Sequence, residues 1–156
     1  MPHPGSGITW ELGGRSVLAT PNLKEGPVTV IDMKSWKIVR QIKTLGPGFF
    51  MRSHENARHA WMDVFNGTAH RDVMQVIDKQ TLEVVAELGP SSDKVAAHTE
   101  FARDGKDALV SVWDNDGALV IYDADTLKEV KRILINKPSG KYNVHNKITR
   151  SAGTSH

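Results

Sequence analysis

The side chains best suited to proton transfer or metal ligation in this chain are seven histidines, His3, His54, His59, His70, His98, His145 and His156. An imidazole titrates near neutral pH; it can hold an anion as its cation, pass on a proton, or ligate a metal when neutral. The spacing fits no common zinc pattern, and the offset of five from His54 to His59 predicts opposite faces of one strand. No metal site is expected. The chain has no cysteine, which excludes disulfides, thiolate metal ligands and covalent c-type haem attachment within these residues. Histidines far apart in sequence can still converge where repeated elements meet on an axis. His3, His54, His98 and His145 are therefore candidates for one shared pocket.

The elements that would position them repeat. Val30-Ile31-Asp32 is followed by Ser35-Trp36-Lys37-Ile38-Val39, Val76-Ile77-Asp78 by Thr81-Leu82-Glu83-Val84-Val85, and Ile121-Tyr122-Asp123 by Thr126-Leu127-Lys128-Glu129-Val130. The copies lie 46 and then 45 residues apart, a period that signifies β-propeller blades. Val28 and Val30, Met74 and Val76, and Leu119 and Ile121 have the two-residue spacing of one pleated face. Each strand then meets an aspartate whose carboxylate can accept backbone N–H groups two or so residues on. Asp32, Asp78 and Asp123 thus read as turn formers rather than catalytic acids.

The expected fold is all-β, with strands over 16–19, 28–31, 39–42, 49–52, 60–64, 73–77, 84–88, 97–101, 108–112, 118–122 and 130–135. Turns fall at Gly46-Pro47-Gly48, Asn66-Gly67, Asp104-Gly105 and Asn115-Asp116-Gly117, among others. The stretch from Asn136 to His156 reads as a loop followed by a short strand or a loose tail. A four-stranded blade takes about 40–50 residues and a closed propeller about four to eight blades. The 156 residues hold about three blades. The expectation is a partial propeller, completed either by missing N-terminal blades of a larger protein or by other copies of itself, because open strand edges and an uncovered blade face would otherwise remain.

A net charge of +2 is too small to argue for nucleic acid. From Lys128 onward seven lysines and arginines face one acid, Glu129, which reads as a solvated surface with an anionic, carboxylated ligand as the alternative. No apolar run approaches the ~18 residues of a membrane span, and no signal peptide is evident, so neither membrane nor nucleic acid is an expected partner.

Several motifs, in order along nearly the whole chain, resemble one family. They are Pro2-His3-Pro4-Gly5-Ser6-Gly7 with Trp10, Phe49-Phe50-Met51-Arg52-Ser53-His54, Ser111-Val112-Trp113 with Leu119-Val120-Ile121-Tyr122-Asp123, and Pro138-Ser139-Gly140-Lys141-Tyr142-Asn143-Val144. They are similar to the C-terminal part of the haem d1 domain of cytochrome cd1 nitrite reductases and their relatives. The resemblance implies that residues 1–156 are a segment of an eight-bladed propeller with haem d1 on its axis. It also implies nitrite reduction to nitric oxide in denitrification, a cytochrome c electron donor and a periplasmic location. His3 falls on a distal histidine and would be the catalytic group, binding nitrite as imidazolium and donating a proton as an N–O bond breaks. Gly5, Ser6 and Gly7 would form a loop close to the cofactor, and Phe50 and Trp113 would stand near the macrocycle, where aromatic stacking serves a flat ligand. His98, from the histidine set that can converge on the axis, is added to them as a cofactor-binding candidate.

The departures point to a paralogue. The nitrite reductases carry His-Pro-Gly-Arg-Gly where this chain has Ser6 in the arginine position, and losing a guanidinium removes a charge-assisted contact to haem carboxylates. His98 and His145 also differ from the reductase pattern. The alternative is a haem d1 maturation protein, such as the family's dehydrogenase that introduces the acrylate double bond at the last biosynthetic step. A third reading is a repeat module that binds a protein partner without a cofactor. The proximal ligand would lie upstream, so these residues alone are expected to lack turnover and to bind haem weakly if at all.

Overall fold

A computed structural model of the chain describes residue 2 and residues 6–139. Twelve strands form three four-stranded antiparallel sheets, each a simple meander in chain order. The first blade holds β1 (Ile8–Leu12), β2 (Arg15–Pro21), β3 (Val28–Asp32) and β4 (Ile38–Ile42). The second holds β5 (Met51–Arg52), β6 (His59–Asp63), β7 (Met74–Asp78) and β8 (Val84–Leu88), and the third β9 (Ala96–Phe101), β10 (Asp107–Val112), β11 (Ala118–Asp123) and β12 (Glu129–Leu134). The partial propeller expected from the repeat is the observed fold, and no helix among the described residues is long and apolar enough to cross a membrane.

The sequence reading misses one strand, β1, although Ile8, Trp10 and Leu12 alternate as a strand should. It also overextends β5, whose ladder covers only Met51 and Arg52 because Phe49 and Phe50 turn their N–H groups to a side chain instead.

The second blade is buried on both faces. Ala60, Met62 and Ile77 pack with Ile8, Trp10, Val17, Ala19, Val28 and Val30 of the first blade. Trp61, Met74 and Val76 pack on the other side with Val110, Val112, Val120 and Tyr122 of the third. That is why β6 and β7 are buried along their whole length, while the outer strand β12 is exposed throughout. In β11 the buried residues are Ala118, Val120 and Tyr122, and the expected pair Leu119 and Ile121 is only half-buried. Ile121 has the register of Val76, since Ile121 pairs Lys131 where Val76 pairs Ala86. Its face has no further sheet against it among the described residues.

The three repeated turns are alike to the atom. Asp32 Oδ1 accepts the N–H groups of Lys34 and Ser35, Asp78 Oδ1 those of Gln80 and Thr81, and Asp123 Oδ1 those of Asp125 and Thr126. The residue after each Ser or Thr then swings into the left-handed region, at φ 57° for Trp36, 59° for Leu82 and 60° for Leu127. The N–H of Ser35 holds the Asp32 carboxyl below the usual carboxylate range, and that of Thr126 does the same for Asp123. Burial works against the Asp78 carboxylate, yet the Thr81 and Gln80 N–H groups and the Arg58 guanidinium at 2.7 Å bring its pKa down to about 2. A bulge follows at the same place in every copy, leaving Val39, Val85 and Val130 outside the ladder.

Gly105 closes the β9–β10 turn at φ 77°, and a Cβ there would overlap Nδ1 of the buried His54. Gly105→Ala combines backbone strain with a clash, and we expect it to destabilise the parent protein by about 1–3 kcal/mol, read from the midpoint of urea unfolding.

Candidate functional site on the aromatic end of the blades

The ends of the second and third blades away from the aspartate turns hold a cluster of aromatic side chains and one histidine. The segment before β5 supplies Phe49 and Phe50, the end of β6 leads to Phe65, β9 carries His98, and Trp113 follows β10. The Phe50 and His98 rings meet at a centroid separation of 3.8 Å and a tilt of 32°. Phe65 stacks on Phe50 at 5.8 Å, with the planes 11° apart, and Phe49 sits edge-on to Phe50 at 4.6 Å. His98 and Trp113 are perpendicular neighbours at 6.3 Å, and Trp113 is 42 % exposed. Three of the residues singled out in the sequence, Phe50, His98 and Trp113, are thus brought into one cluster that spans the second and third blades.

His98 reaches this place through an irregularity. Glu100 pairs Leu109 and Ala97 pairs Ser111, so two residues, His98 and Thr99, stand against Val110 alone. His98 takes φ 54° there, a conformation that a non-glycine side chain rarely adopts within a strand. Such strain persists where surrounding contacts impose it, and it concentrates at functional positions.

Below the rings lies a residue that the sequence reading missed. Asp63 ends β6 with no exposure to solvent, and its Oδ1 accepts the N–H of Phe49 at 2.9 Å and of Phe50 at 3.2 Å. The backbone N–H of His98 bonds to the same carboxyl. Burial pushes the Asp63 pKa up from 3.8 to about 7, against the pull of these N–H groups and of the Arg52 guanidinium. The available signal was an acid within Ala60-Trp61-Met62-Asp63-Val64, an otherwise apolar run.

The sign of the linkage follows from the raised value. The folded state holds the Asp63 proton more tightly than the unfolded chain, so this stabilisation is complete below the unfolded pKa near 3.8. It is lost as pH rises through about 7. We expect Asp63→Asn to flatten this part of the stability profile, measured as urea midpoints of the parent protein between pH 4 and 8.

Ser6 and Gly7 enter β1 at the same end of the first blade, both buried. The loops of the first two blades meet at that end, where Asn66 Nδ2 donates to the Leu23 carbonyl at 3.2 Å. His3, Gly5 and His145 lie outside the described residues.

His54 does not join His98. It follows β5 at the opposite end, 6.4 Å ring to ring from Phe101 at the far end of β9. Its Nδ1 accepts the Asn56 N–H, and its carbonyl accepts Lys79 Nζ. Nor do His54 and His59 share a strand, since a turn separates them. His59 starts β6, and its Nδ1 donates to the Ala124 carbonyl at 3.0 Å, tying the second blade to the third. Among the described residues no group of His, Asp and Glu is arranged to hold a metal ion. A cavity of about 680 Å³ at this opposite end is lined by Trp10, Arg58, Lys79 and Gln80 among others. Its cationic groups are engaged, Arg58 with Asp78 and Lys79 with the His54 carbonyl. The ring cluster offers a planar ligand what this cavity lacks, an aromatic face with a titratable imidazole in it.

Three four-stranded meanders in chain order define a segment of a β-propeller. Residues 1–147 match the family described as Cytochrome D1 heme domain, and the chain belongs to that family. The dihydro-heme d1 dehydrogenase of Pseudomonas aeruginosa is 59 % identical over 156 residues, covering 100 % of this chain and 31 % of the relative. A solved dihydro-heme d1 dehydrogenase, NirN in complex with DHE, superposes with a TM-score of 0.91 at 59 % identity, over 96 % of this chain and 32 % of that one. Protein NirF of Stutzerimonas stutzeri is 31 % identical over 140 residues, 90 % of this chain and 34 % of its own. The chain therefore spans about a third of the length of these relatives. Hydrazine synthase of Kuenenia stuttgartiensis shares the fold, with a TM-score of 0.65 at 19 % identity. These similarities favour the maturation alternative over nitrite reduction, the first activity implied by the sequence resemblance.

Proposed function

We propose that residues 1–156 form part of the haem-facing propeller of a dihydro-haem d1 dehydrogenase, which completes haem d1 by turning a saturated side chain into an acrylate. The observation that carries this reading is the 59 % identity to such a dehydrogenase across the entire chain. The ring cluster supports it: Phe50 and the partly exposed Trp113 offer flat apolar faces suited to a tetrapyrrole. The haem supplies an iron and a conjugated ring that can pass on electrons. Forming the double bond removes two protons and two electrons from two adjacent carbons. In this reading His98, the imidazole of the cluster, takes one proton; the other goes to solvent, and the electrons go to an acceptor outside this chain, such as a c-type cytochrome. Ser6 and Gly7 stand at the same end.

In this reading the remaining blades come from the rest of the parent protein, which works in the periplasm like the family members it resembles. The test is an absorption titration of the parent protein with dihydro-haem d1, followed in parallel by tryptophan emission. Saturable binding that quenches emission in the parent, and quenches it less in a Trp113→Phe variant, supports the reading. Absence of any spectral change would refute it.

A further inference from the structure

We propose that Asp63 is the positioning residue of the aromatic face: by accepting N–H groups from Phe49, Phe50 and His98 together, its carboxyl fixes where the Phe50 and His98 rings meet. The two segments it joins belong to different blades. Residues 49 and 50 lead into β5 of the second, whereas His98 sits in the bulge of β9 in the third. The bulge takes the His98 backbone out of the regular ladder with β10, and the Asp63 carboxyl accepts the displaced N–H. Phe50 is held twice, because its N–H lies 3.2 and 3.3 Å from the two Asp63 oxygens and its carbonyl accepts the Asp63 N–H at 3.3 Å.

Packing confirms how close this contact must be. A Cβ on Gly48 would overlap the Asp63 carbonyl oxygen and the Met62 side chain, so glycine lets the segment before Phe49 lie directly on the end of β6. Asp63 is flanked by Trp61, Met62 and Val64, all fully buried, where a carboxyl without hydrogen-bond partners would be costly. Its bonds to Phe49, Phe50 and His98 are the reason an acid is tolerated there. The residue lies under the rings and acts on a ligand only through them.

The consequence for ligand affinity rests on the dehydrogenase reading, but the ring placement does not. The experiment therefore reads both in the full-length parent protein, comparing Asp63→Ala, Asp63→Asn and Gly48→Ala. Ring resonances of ¹³C-histidine-labelled protein report the first, with His98 assigned by its loss in His98→Gln; absorption titration with dihydro-haem d1 reports the second. Stacking on Phe50 shifts the His98 ring protons upfield. Asp63→Ala is expected to abolish that shift and weaken binding about tenfold or more. Asp63→Asn keeps an acceptor oxygen for the N–H groups and is expected to restore most of both. Gly48→Ala, which leaves Asp63 in place and lifts the segment, is expected to lose the shift as well, and it serves as the test if Asp63→Ala does not fold. An unchanged His98 resonance in Asp63→Ala or in Gly48→Ala, or an Asn variant as displaced as the Ala variant, would overturn the proposal. Failure of the unaltered parent to bind the ligand would count against the dehydrogenase reading alone.

Discussion

Replacing His98 by alanine in the full-length parent should slow conversion of dihydro-haem d1 by about 10²-fold or more at saturating ligand, the usual weight of a positioned acid–base group. The protein should still fold, because His98 is only half-buried and its bulge is held by the backbone bond to Asp63. The placement of His98 argues for chemistry over packing. A φ of 54° in a strand costs about 1–3 kcal/mol, and a residue kept only to fill space could be accommodated without that strain. The ring is set between Phe50 and Trp113, at 3.8 and 6.3 Å, where a planar ligand would meet it. Steady-state rates together with circular dichroism decide the matter. A folded His98→Ala variant with undiminished turnover would reduce His98 to an ordinary bulge residue.

The largest effect on stability is expected at Trp61. Its side chain is fully buried, its ring lies 5.5 Å from that of Tyr122, and it packs with Met74, Val110 and Val120 between the second and third blades. Trp61→Ala leaves a large cavity in that layer and should cost about 3–5 kcal/mol. Trp61→Phe should be much milder, because the indole N–H has no hydrogen-bond partner among the described residues and its removal relieves a buried unpaired donor. Urea unfolding of both variants in the parent protein tests the pair. Equal losses would mean that the blades are not coupled through this side chain. Since the second blade is packed on both sides, loosening one face should also disturb the ring cluster that spans the same two blades.

The repeats were legible because their cause is local. An aspartate two and three residues before the N–H groups it captures, followed by a left-handed residue, is set by neighbours in sequence, and the same turn recurs at Asp32, Asp78 and Asp123. The remaining strands followed from apolar runs between turn residues, except β1, which that reading leaves out. In β11 the spacing gave the right pleat, but which face is covered depends on a neighbouring sheet, so Leu119 and Ile121 are half-buried and Val120 is not.

The site was legible in part. Phe50 and Trp113 were singled out through family resemblance and His98 as a histidine that could converge on the axis, and their meeting depends on two blades packing together, which no spacing encodes. His54 illustrates the converse: convergence of repeats on an axis made it a candidate for the shared pocket, but it follows β5 at the opposite end, near Phe101. The acid at Asp63 stands out in its apolar run, but its role was not legible, because its partners lie 13 and 14 residues earlier and in the next blade. The bulge at His98 likewise depends on pairing with β10, and nothing in Ala96-Ala97-His98-Thr99 marks it.

The most direct test of the central claim is a conversion experiment on the full-length parent, in which absorption spectra follow bound dihydro-haem d1 under oxidising conditions, with and without nitrite. The dehydrogenase account predicts that the spectrum moves to that of haem d1 whether or not nitrite is present, and that reduced protein loaded with haem d1 produces no nitric oxide from nitrite. Catalytic nitric oxide formation, with the dihydro form left unconverted, would contradict it.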